Sequence, residues 1–216
     1  MFSRLTALVG ISAVLVGCAA PSSSSPQDAT PIYPTVSVGD GQTLPAGTYY
    51  VDAPFPVRLT FDVPDGFVAW AHTSAGTQLN LSGGEGEISF EIIENVVADA
   101  CSTEQLDPPV GPTADDLATA LSNLDGFDAS AATDITFDGF EGKQFTLTAP
   151  DPAPCESMYT WSTTTRQNGV GPGEVAEVRI LDVDGVRLLI AIATHPPLAG
   201  DDRATLDAIV ESVQLD

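Results

Sequence analysis

The segment Val178-Arg-Ile-Leu-Asp-Val-Asp-Gly-Val-Arg-Leu-Leu-Ile-Ala-Ile192 constrains the fold of this chain more than any other. Asp184-Gly185 lies between two apolar arms. A two-residue turn joining antiparallel strands needs positive φ at both central residues, and Asp-Gly accepts that. The arms are therefore expected as a hairpin, Glu174 to Val183 and Val186 to Thr194. The second arm, VRLLIAIA, is almost continuously apolar, the pattern of a central strand covered on both faces.

Elsewhere apolar residues recur mostly with period two between turn signals, which reads as strands. The expected strands are Gly47 to Val51, Pro56 to Val63, Phe67 to Thr73, Thr77 to Leu81, Glu87 to Val97, Asp134 to Phe137, Gln144 to Thr148 and Met158 to Thr164. Two helices interrupt them. Thr113 caps the first, with Asp116 as the capping-box acid and Leu117, Leu121 and Leu124 on one face. The second begins near Asp201-Asp202, acids suited to a helix N-terminus, and runs Arg203 to Val213. Its apolar stripe is Leu206, Ile209, Val210 and Val213. Helices that each bury one stripe on an antiparallel sheet give an α+β domain, with two or more helices flanking the sheet. That domain is expected over residues 35–216.

Leu59-Thr-Phe-Asp-Val-Pro-Asp-Gly-Phe67, an apolar strand followed by Pro, acid, Gly and an aromatic, resembles the opening of PsbP/Mog1-like domains found in actinobacterial lipoproteins. The mid-chain helix, the Asp-Gly hairpin and the closing helix fit the same pattern over about Phe55 to Leu215. Phe67 stands where Trp is commoner in that family. The resemblance implies an α/β/α sandwich and a non-catalytic accessory or binding role.

The first residues form an export signal. Arg4 precedes a twelve-residue apolar run, Leu5 to Val16, too short to span a bilayer, which takes about 20 residues. Leu15-Val16-Gly17-Cys18 resembles the lipobox of bacterial lipoproteins. The resemblance implies cleavage after residue 17 and diacylglycerol on Cys18. Several acyl chains, at about 0.8 kcal/mol per buried methylene, give a stable anchor. Residues 18–34 are rich in Ser, Pro and Ala and bury too little apolar surface to offset chain entropy, so they read as a flexible linker. A random coil of that length spans about 20 Å.

The chain carries 30 acidic and 7 basic residues; without Arg4, six basic residues face 30 acidic ones, a formal charge of −24. Such a surface is repelled by phosphate backbones and anionic headgroups, so nucleic acid is not an expected partner. The expected contacts are the membrane, through the lipid on Cys18, and another envelope protein. Apart from Cys18, the cysteines are Cys101 and Cys155. In an exported domain a remaining pair is expected as a disulfide, closing a loop of about 54 residues worth about 4 kcal/mol in the chain-entropy account. The alternatives, a redox pair or a metal site, lack a CxxC motif and have only His72 and His195 as further ligands.

No nucleophile elbow, Walker loop or HExxH motif occurs, and no enzyme activity, cofactor or metal is expected. Gly169, Gly171 and Gly173 read as a loop before a strand. Asp182-Val-Asp184-Gly185 mimics part of a calcium loop but is better explained by the hairpin. His72 and His195 are candidates for a base or metal pair, and the commoner reading is structural. Trp70, Tyr159 and Trp161 are candidates for stacking on a sugar or other planar ligand, with core packing the alternative. Two functions follow as expectations: a tethered envelope interaction domain, or a small-ligand binder serving transport or sensing.

Overall fold

The structure is a computed structural model that describes residues 42–73, 76–81, 86–195, 198 and 200–216; at 42 and 69–73 the backbone alone is described. The expected export signal, Cys18 and the linker lie outside the described residues. Strands are β1 (Gln42–Leu44), β2 (Gly47–Val51), β3 (Leu59–Val63), β4 (Phe67–Thr73), β5 (Gly76–Leu81), β6 (Gly86–Ile92), β7 (Asn95–Val96), β8 (Asp128–Ala129), β9 (Thr133–Phe137), β10 (Phe140–Thr148), β11 (Met158–Ser162), β12 (Gln167–Val170), β13 (Val175–Val183), β14 (Val186–Thr194) and β15 (Gln214–Leu215). Helices are α1 (Ala114–Ser122) and α2 (Gly200–Glu211). The protein is thus mostly antiparallel sheet with two helices.

Among the described residues, nine strands form a sheet in the order β1-β4-β5-β6-β14-β13-β10-β8, with β9 also on β10. Two smaller sheets run β12-β11-β7 and β15-β3-β2. The Asp-Gly hairpin is as expected: Asp184 has φ 50° and Gly185 φ 83°, and Val183 pairs with Val186. Central β14 is covered on both faces. Leu188, Ile190 and Ile192 join a core with Leu206, Ile209 and Val210 of α2 and with Tyr49, Val51, Leu59 and Phe61 of β2 and β3. Leu189 and Ala191, alternating with them, join a second core with Ala114, Leu117, Ala118 and Leu121 of α1 and with Val96 and Trp161. Each fully buried leucine on these faces contributes about 2 kcal/mol by apolar burial.

Thr113 caps α1 as expected: its hydroxyl accepts from the Asp116 amide at 3.1 Å, and Asp116 Oδ2 accepts from the Thr113 amide at 3.1 Å. The next amide, Ala114, donates to Asp182 Oδ1 at 2.8 Å. Asp182, the first residue of the calcium-like triplet, therefore fixes the start of α1 to β13.

Four expectations are corrected. The single strand expected over Glu87 to Val97 is two: the Ile93 amide still donates to Arg187 O at 3.3 Å, but the Arg187 guanidinium donates to Ile93 O at 3.1 Å and Glu94 O at 2.6 Å, drawing those carbonyls out of the sheet. Beyond them β7 leaves to pair with β11. The strand expected from Gln144 begins at Phe140, because Asp138 (φ 45°) and Gly139 (φ 88°) make a second tight hairpin. The glycine-bearing segment expected as loop includes β12, paired to β11. β3 begins at Leu59 rather than Pro56, and just before it Arg58 exchanges two 3.0 Å backbone bonds with Asp216.

Candidate functional site

The polar row of β6, Glu87, Ser89 and Glu91, points toward the α1 side of the sheet, since Ile88 and Phe90 belong to the α2 core. In an uncovered sheet such a row faces water. Here β11 and β12 lie over it, and Glu91 is left 1% exposed. A buried charge needs partners, and Glu91 has two. The Trp161 indole N–H donates to its Oε2 at 2.6 Å, and Arg166, from the connection between β11 and β12, pairs with its Oε1. Arg166 also donates to Gln78 Oε1 at 3.0 Å. The Gln78 amide in turn donates to Glu87 Oε1 at 3.0 Å, as does the Ser89 hydroxyl at 3.1 Å. A continuous polar chain therefore runs from the core at Trp161 out to Glu87.

At its outer end the chain meets a second carboxylate. Glu174, just before β13, accepts from the Gly171 amide at 3.1 Å, and His195 Nε2 lies 3.4 Å from the same oxygen. Glu87 and Glu174 line two adjoining hollows. One, of about 40 Å³, is walled also by Asn80, Gly86, Ala193 and His195. The other runs under β12 beside Phe127, Leu147, Thr160 and Trp161 and, at about 10 Å³, has room for no more than one water. Burial pushes the Glu87 carboxyl up from its ordinary range, and the charge of Glu174 adds to this. Burial likewise raises Glu174, against the Gly171 amide and His195, which favour its ionised form. The pair holds a proton more tightly than exposed carboxylates do.

A wider feature lies on the other side. Gly47, Thr48, Asp62, Val63 and Pro64 face Ala204, Ala208 and Ile209 of α2 across an open groove of about 590 Å³. Its floor is mostly apolar, and the side chains along it are small.

The expected site residues fare differently. Cys101 and Cys155 are brought to disulfide distance, 2.11 Å between sulfurs and 5.9 Å between Cα atoms. Trp161 is buried, 2% exposed, with its N–H spent on Glu91, so it presents no face to solvent. Tyr159 is half-buried against the same core. Trp70 and His72 lie on β4 and their side chains are outside the described residues. His195 is exposed beside Glu174 rather than in the core. Among the described residues no group of three or more His, Cys, Asp or Glu is placed to hold a metal ion. Glu87, Glu91, Gln78, Arg166 and Glu174 escaped the sequence reading. The available signal was a polar row on β6 beside the apolar β14.

The arrangement defines an α+β domain of antiparallel sheet and two helices with a buried polar chain. No family description matches the chain, and no curated protein matches it. Among solved structures it is similar to cyanobacterial PsbP from Synechocystis, at 13% identity over 84% of this chain and 95% of that one, TM-score 0.41. It is also similar to the Ran-binding protein Mog1p of Saccharomyces cerevisiae, at 12% identity over 79% of this chain and 96% of that one, TM-score 0.38. No functional argument rests on likenesses of this degree.

Proposed function

We propose that this chain is a lipid-anchored lipoprotein of the cell envelope, with a non-catalytic domain that docks an extended segment of another exported protein. The domain is read as a PsbP/Mog1-like sandwich on the motif Leu59 to Phe67 and on the two cores that cover β14. The anchor reading is supported by Leu15-Val16-Gly17-Cys18 and its apolar lead-in. The observation that carries the docking reading is the open groove between the β2–β3 end and α2, about 590 Å³ with Ala204, Ala208 and Ile209 as its helix wall. An open apolar trough flanked by backbone suits a peptide segment, while small solutes favour enclosed hollows. The hollow beside Trp161 has no room for a sugar.

The test joins anchor and groove. Protein extracted from its own membrane is weighed intact: a chain beginning at Cys18 with a diacylglycerol increment supports the anchor, and an unmodified chain from Met1 overturns it. Partners crosslinked to the intact chain are then compared with those of Ala208→Trp, which fills the groove. Loss of a specific crosslink supports docking there, and an unchanged set overturns it.

A further inference from the structure

We propose that β12 and the turn after it form a proton-controlled flap over the hollow beside Trp161, with Glu87 and Glu174 as the groups that bind the controlling proton. The geometry begins with β12 itself. It is an edge strand paired to β11 alone, and the pairing is irregular between Tyr159 and Ser162. Asn168 and Val170 of β12 roof the hollow together with Trp161 of β11, and its floor is Leu147, Ala176 and Ala191 of the main sheet. Lifting β12 opens an apolar floor that is otherwise sealed.

The carboxylates sit where the flap joins the sheet. The groups facing Glu87 and Glu174 are Glu91 from the same strand, Gln78 and Asn80 from β5, Arg166 from the β11–β12 connection, Asn168 from β12 and His195 after β14. Arg166 is already committed to Glu91 and Gln78. Among the described residues, no Lys or Arg forms a salt bridge with Glu87 or Glu174. Two like charges in a poorly solvated hollow are costly, and a bound proton removes one of them. When the proton leaves, water must enter, and the singly paired edge strand is the weakest wall. Glu174 also holds the Gly171 amide, so displacement of its carboxylate removes that tie and leaves the turn to the bond from the Glu174 amide to Gly171 O at 3.2 Å.

The sign follows from the direction of both shifts. A carboxyl raised in the closed state stabilises that state fully below its ordinary range, and the stabilisation is lost as pH rises through the raised value. Acid closes the flap and alkali loosens it.

Amide hydrogen exchange of the full chain between pH 4 and pH 8, corrected for intrinsic rates, tests this. The Gly171 amide, held by Glu174, is read against Ile190 in β14. Its relative protection is expected to fall about tenfold as pH rises. Glu87→Gln is expected to keep it protected throughout. Protection that is flat with pH in the unaltered chain, or a dependence that survives in Glu87→Gln, overturns the proposal. Should Glu87→Gln fail to fold, Glu174→Gln is read in the same way. The carboxyl ¹³C shift of Glu87 in the unaltered chain adds a check without substitution: an ordinary glutamate midpoint overturns the flap.

Discussion

Trp161 donates its indole N–H to Glu91 Oε2 at 2.6 Å across 70 positions of sequence, and both residues are buried. The bond joins the overlying β11 to β6 of the main sheet, and Arg166 neutralises the charge that makes it strong. Removing one partner of such a set leaves the others unsatisfied. Glu91→Ala is expected to cost about 3–5 kcal/mol, read from urea unfolding. Glu91→Gln keeps an acceptor for the indole and is expected to cost less, about 1–2 kcal/mol. Equal losses in the two variants would mean that packing, not the acceptor, holds the pair.

How much of this was legible depends on the range of the cause. The Asp184-Gly185 hairpin, the Thr113 cap with Asp116 and the stripe Leu206, Ile209, Val210 are set by neighbours within a few residues, and each was readable. The Phe137-Asp-Gly-Phe140 hairpin carried the same turn signal, but its arms mix Glu141, Lys143 and Gln144 with apolar residues and blurred the period. The break after Ile92 has no local cause at all: it depends on Arg187, 94 positions from Ile93. The polar chain is the extreme case. Glu87, Ser89 and Glu91 read as a solvent-facing row until β14 is set beside them, where Ala193, Ala191 and Leu189 are their cross-strand partners. A polar row next to an apolar one marks a buried face that needs partners, and only the sheet order reveals the adjacency.

The Cys101–Cys155 link ties the segment after β7 to the segment before β11. Tyr159 already donates its amide to Ala100 O at 2.8 Å, so the native contact survives loss of the bond. The link therefore acts mainly on the unfolded chain. With 54 positions between the cysteines, the Cys101→Ser, Cys155→Ser double variant is expected to lose about 4 kcal/mol with its native spectrum intact. Urea midpoints with and without reductant on the unaltered chain give the same quantity. A loss under about 1 kcal/mol would show that the unfolded chain keeps this loop closed without the bond.

At α1 the hydroxyl of Thr113 and the carboxylate of Asp116 cap each other's amides. Thr113→Ala is expected to cost about 1 kcal/mol in thermal or urea unfolding. The Thr113 hydrogen bonds also hold the Asp116 carboxyl below its ordinary range. Stability from that depression is present above the ordinary carboxylate range and is lost as pH falls through the lowered value. Thr113→Ala should therefore flatten the acid limb of the stability profile as well as lower its plateau. A plateau loss with an unchanged acid limb would separate the cap from the titration.

Two glycines distinguish steric from conformational demand. Gly185 has φ 83° and nothing within 4 Å of where a Cβ would stand, so Gly185→Ala meets strain in the backbone alone, about 1–2 kcal/mol. Gly142 has no such φ, but a Cβ there would stand 2.1 Å from the Ile180 carbonyl oxygen on the neighbouring strand. A backbone carbonyl cannot swing aside as a flexible side chain does, so β10 and β13 must part where Gly142 pairs with Leu181. Gly142→Ala is expected to cost about 3 kcal/mol, at the upper end for overpacking, and more than Gly185→Ala. Urea unfolding of the two variants settles the order. If Gly185→Ala proves the worse, the hairpin turn and not the close approach of β10 to β13 is the more demanding point of the sheet.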